Sequence, residues 1–146
     1  MRIRYFALVY GIVFLVVGLA GFVPALVTPM GTGEPTLAVE SGAGLLLGLF
    51  PVNMLHNLVH IAFGIWGVAV WRSIGPSRTY AQAVAIVYAV FMVMGIFPVL
   101  NTTFGLVPLY GHDIWLHALL AGIAAYFGFV ARPEAHQAER PPKQAA

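Results

Sequence analysis

Four apolar runs, at about residues 5–27, 51–71, 80–100 and 113–131, divide this chain, and each is long enough to cross a bilayer. The hydrocarbon layer of roughly 30 Å takes about 20 helical residues. Backbone amides inside lipid must find partners within their own segment, so such runs fold as helices. Breakers separate them: residues 28–44 are rich in Gly and Pro, residues 72–79 contain Gly75-Pro76, and residues 98–111 hold two prolines. Composition agrees, with 60% hydrophobic and 8% charged residues where a soluble domain carries about 25% charged. The expectation is one all-α membrane domain over residues 1–131, a four-helix transmembrane bundle. A polar, proline-bearing tail over residues 132–146 is expected to be disordered and cytoplasmic.

Charge placement orients the spans. Arg2 and Arg4 precede the first run, Arg72 and Arg78 lie between the second and third, and Arg132, Arg140 and Lys143 follow the fourth. Every basic residue therefore falls on one side, while the opposite connections carry Glu34 and Glu40. The positive-inside rule puts both termini in the cytoplasm. The first run is longer than the 7–15 residues of a signal-peptide core and no A-x-A site follows it, so a retained helix is expected. Seven scattered basic residues make no nucleic-acid footprint. The expected partner is the bilayer, with another membrane protein or a second copy of the chain as candidates beside it. The absence of cysteine removes disulfides, thiolate ligands and thiol catalysis.

The two halves are related. Residues 6–24 align without gaps on 80–98, with Gly21 on Gly95 and Pro24 on Pro98. Residues 48–64 align on 105–121, with Gly48, Leu49, Pro51 and His60 on Gly105, Leu106, Pro108 and His117. The matches fall on the few polar or helix-breaking positions, where chance agreement between apolar segments is least expected. Two tandem helical hairpins result, a parallel repeat that would bring the second and fourth helices together across the interior.

Polarity is concentrated there. Asn53, His56, Asn57 and His60 stand at i, i+3, i+4 and i+7, one face of a helix, and Asp113 and His117 stand at i, i+4 on the fourth. Such side chains in a span cost free energy unless answered. Histidines at i, i+4 project together and can share an ion. With His117 and Asp113 they offer four N/O ligands for zinc, or fewer with open positions for iron. His60 and His117 are alternatively placed as axial ligands of a haem. Asn53 and Asn57 are candidates to orient the rings. A bland reading stands beside this one: polar side chains tie membrane helices together, Asp113 caps its helix, and Asn53 satisfies early amides after Pro51. A proton or small-solute path is a third reading. Glu-x-x-His pairs, phosphate-binding glycine loops and serine elbows do not occur, and no catalytic residue is assigned.

His112 is expected in the interfacial loop, and Trp66, Trp71, Tyr80 and Tyr110 as interfacial or packing aromatics. Gly11, Gly18, Gly64 and Gly67 are expected to let helices approach closely. The long connection over residues 28–44 is a candidate lid, with Glu40 in reach of the cluster.

The stretches PVNMLHNLVH (51–60) and DIWLH (113–117) resemble a bacterial family of small four-span membrane proteins defined only as a domain of unknown function. The resemblance runs from about Tyr5 to Phe129. It implies a bacterial inner-membrane protein and draws attention to Asn53, His56, Asn57, His60, Asp113 and His117.

Overall fold

The computed structural model describes residues 2–131, so the tail expected over 132–146 lies outside the described residues. Four helices organise the chain: α1 (Arg2–Ala20), α2 (Met54–Val70), α3 (Ile74–Ile96) and α4 (Asp113–Ala125), the last continued by a π turn over Tyr126–Val130. Three segments are long and apolar enough to cross a membrane, namely Arg2–Ala20, Ile74–Ile96 and Asp113–Val130. The fourth apolar helix, α2, has 17 residues.

Several helix boundaries differ from the expected spans, the first helix ending at Ala20 rather than 27, ahead of a 3-10 turn at Pro24–Leu26 and a strand at Val27. The second run was expected to turn helical at Pro51, but Pro51 lies in an extended strand and α2 begins only after Asn53. The physical reason is a cap: Asn53 is extended, and its side chain accepts the amide of His56 at 2.9 Å. Upstream, β1 (Val27–Thr28), β2 (Gly44–Leu46) and β3 (Phe50–Val52) form an antiparallel sheet in that order. Val27 pairs with Leu46, and Leu45 with Pro51. The third run starts earlier than expected, since α3 runs through Gly75-Pro76. Proline in the first turn forfeits only an amide that has no helical partner anyway. The helix ends where Phe97 turns extended ahead of Pro98.

α1 lies along α2, α3 along α4, and α1 meets α3. Gly11, Gly18, Gly64 and Gly67 make the first contact possible, as expected: a Cβ on Gly11 would stand 2.7 Å from the amide nitrogen of Val68. The core joins Phe6, Phe14, Tyr80, Val84, Tyr88 and Ala124. Tyr80 is wholly buried there, so of its two expected settings it takes the packing one.

Positions aligned between residues 6–24 and 80–98 lie against one another. Phe14 stacks on Tyr88 with centroids 5.2 Å apart, and Phe6 lies 6.4 Å from Tyr80. Gly21 packs against the side chain of Asn57, and Gly95 against Ile114. At the two corners, Leu47 and Gly48 have φ of 55° and 72°, and Phe104 and Gly105 have 59° and 86°. A left-handed leucine and phenylalanine are uncommon and costly.

The described arginines gather at one end. Arg4 donates to the carbonyl of Arg72 at 3.2 Å, and Arg78 donates to the carbonyl of Ala131. Gln82 binds the Gly128 carbonyl at 3.1 Å, so the π turn presents its carbonyls to α3.

The outer surface of α1 exposes Val9, Ile12, Val13, Val16 and Leu19. That is the face a bilayer would cover.

Candidate metal centre

The site begins with the Asn53 cap. By fixing where α2 starts, it sets the rotation that turns His56, Asn57, His60, Gly64 and Gly67 inward, the buried set of this helix. The Asn53 amide donates to the carbonyls of Val39 at 2.9 Å and Leu106 at 2.7 Å. Its polar atoms are thereby occupied by backbone, which is the capping role rather than a ring-orienting one. The same bonds pin the 28–44 and 98–111 connections over the helix start. Gly105 accepts from the amides of Ala38 and Val39 at 2.8 and 3.2 Å, and Ser41 accepts from Met54 at 2.8 Å. The 28–44 connection thus covers this end of the molecule, while Glu40 is exposed.

Beneath it, the three histidines converge. His56 and His60 bring their Nε2 atoms to 3.2 Å, as residues one helical turn apart can. His117 reaches them from α4, its ring centroid 6.4 Å from that of His56. One ring nitrogen from each lies within 4.8 Å of the others, and all three residues are buried. The Nδ1 atoms of all three are buried without a hydrogen-bond partner.

Asp113 sits on another side of this group. Its Oδ2 is 3.8 Å from Nδ1 of His56, the nitrogen turned away from His60. It is the first residue of α4, while the cap position belongs to His112. The carboxylate is 2% exposed, and Oδ2 has no hydrogen-bond partner. Its geometry is that of a group facing the back of a ligand ring, and it stands outside the three-nitrogen set. Asn57 is buried against Gly21, with its amide nitrogen unpartnered. His112 remains outside the cluster, exposed and accepting from Trp115 Nε1 at 3.0 Å.

The rings border a cavity of about 40 Å³, closed by Val59, Tyr88, Phe91, Thr103, Val107 and Leu109. Tyr88 was not singled out from the sequence. Its hydroxyl is buried with no partner, and its ring stands edge-on to His117 at 5.0 Å. The available signal was its position: Tyr88 aligns with Phe14 when residues 6–24 are set on 80–98, a hydroxyl added at that place.

These features define a mostly helical protein, with segments apolar and long enough for a membrane, around a three-histidine cluster that can hold a metal ion. The chain belongs to the family described as Domain of unknown function (DUF4383), which matches residues 4–130. No curated protein and no solved structure matches it.

Proposed function

We propose that this is a four-helix integral membrane protein that holds one transition-metal ion on His56, His60 and His117. In this reading two tandem hairpins sit in the bacterial inner membrane with both ends cytoplasmic, and the centre lies in the outer half. The observation that carries the proposal is the convergence of three buried ring nitrogens within 4.8 Å beside a cavity with no cationic side chain in its lining. Two nitrogens bound at about 2.0–2.1 Å to one tetrahedral ion stand about 3.3 Å apart. The 3.2 Å between His56 and His60 matches that spacing. Asp113 has the part of an orienting carboxylate behind His56: on metal binding it would close the 3.8 Å gap to accept the Nδ1 proton, leaving Nε2 to offer its lone pair. Three imidazoles and no thiolate suit zinc, iron or copper.

A cavity of about 40 Å³ takes an ion and a water-sized ligand. A haem between His60 and His117 would require α2 and α4 to part, so the ion is the reading preferred here. The non-catalytic scaffold reading has its own support: the 3.2 Å contact is also the length of a neutral histidine pair sharing a proton.

The test is purification in detergent, metal analysis by mass spectrometry, and a visible spectrum. One equivalent of metal that is lost in His60→Ala and His117→Ala supports the centre. A haem band with the same mutational loss selects the macrocycle. A metal-free, colourless protein that takes up no added ion and is only less stable in those variants leaves the histidines as helix ties.

A further inference from the structure

A divalent ion on three neutral imidazoles brings two positive charges into a dry interior, and a buried charge is costly until it is neutralised. Asp113, 3.8 Å from His56, can offset one of those charges at most. The residues lining the cavity include no carboxylate. At least one positive charge is left over. The amino ends of α2 and α4 add to it, since His56 is the third residue of α2 and His117 the fifth of α4. The cavity gives the balancing group a place, with apolar walls from Val59, Phe91, Val107 and Leu109. Its one phenol, that of Tyr88, has a hydroxyl buried with nothing to donate to.

We propose that the centre has a fourth position for a small monoanion, hydroxide or a triatomic anion such as azide, which receives a hydrogen bond from the Tyr88 phenol. This rests on the three-histidine metal reading. The anion brings the site to neutrality, answers the orphaned hydroxyl and fills the cavity. The apolar walls limit it to a few atoms and exclude carboxylates with side chains of their own. Tyr88 is a positioning residue: it binds the ligand and not the ion.

Cobalt(II) is the probe, because its visible bands report coordination number and change when a ligand is exchanged. The protein in detergent is loaded with Co²⁺ and titrated with azide. Saturable spectral change in the wild type supports the proposal. So does a Tyr88→Phe variant that keeps its Co²⁺ but binds azide about tenfold or more weakly, the loss expected for one hydrogen bond to a charged acceptor. Because azide would displace hydroxide, its affinity should also fall as pH rises through deprotonation of the bound water, a check that needs no variant. Bound Co²⁺ whose spectrum ignores azide and pH overturns the anion site and leaves the metal centre standing. Equal azide affinity in wild type and Tyr88→Phe removes Tyr88 from the proposal. Failure to bind Co²⁺ at all overturns both.

Discussion

The carboxylate of Asp113 lies 3.8 Å from Nδ1 of His56, on the side of the ring away from the nitrogen that meets His60. The two residues occupy aligned positions when residues 48–64 are set on 105–121. One is an imidazole that faces the cluster, and the other an acid that stands behind it. This asymmetry separates a residue expected to bind an ion from one expected to aim a ligand.

Asp113→Asn should therefore weaken metal binding without abolishing it. Removing an orienting carboxylate costs about 10–100-fold in metal affinity. His60→Ala, which deletes a ligand, should leave no stoichiometric ion. Competition with a chelator of known affinity measures both. Equal losses in the two variants would make Asp113 a ligand instead.

Metal affinity should fall as the medium is acidified. Only neutral imidazole offers a lone pair, so protons compete with the ion and binding releases them. Affinity is fully expressed at pH where the histidines are neutral and is lost as pH drops through their protonation. Equilibrium dialysis over a descending pH series should show the ion released as protons take the ring nitrogens. A flat profile would speak against imidazole ligation.

Asn53→Ala should act on the fold. The variant loses the cap on His56 and two amide bonds to Val39 and Leu106. Together these are worth about 2–4 kcal/mol. Unfolding in detergent should report that loss, and Asn53→Asp should restore only the cap. If Asn53→Ala instead lowers metal affinity with stability unchanged, the residue belongs to the centre.

Glycine positions should divide sharply. A Cβ on Gly67 would stand 2.7 Å from the Ala7 carbonyl oxygen and 2.8 Å from the Gly11 Cα, where only helix separation gives relief. Gly67→Ala should destabilise by about 1–3 kcal/mol or more. Gly122, with nothing within 4 Å of an added Cβ, should tolerate alanine or gain up to about 1 kcal/mol from helix propensity. Thermal unfolding of the pair checks whether α1 and α2 are in contact as described.

Period and punctuation made much of this molecule readable in advance. The spacing of Asn53, His56, Asn57 and His60 is a helical face whatever surrounds it, because 3.6 residues per turn allows nothing else. The agreement of His60 with His117 pointed to their meeting, and the structure brings both into one cluster. Gly11 and Gly64 were legible as contact points because small residues let backbones close up. The strands β1–β3 were not legible: two- and three-residue segments carry too few side chains to show a period. The start of α3 at Ile74 was missed because Gly75-Pro76 reads as a breaker when it is in fact a first turn.

The sequence by itself determined four apolar helical segments, the gathering of arginines at one end, and which faces carry histidine. Those follow from local rules of periodicity, solvation and charge. Tertiary structure alone decided that Asn53 would spend its side chain on backbone, that Asp113 would stand behind His56, and that Tyr88 would border the cavity. Each depends on the relative rotation and depth of helices far apart in the chain. Close packing sets these to within an ångström, and no local pattern records them.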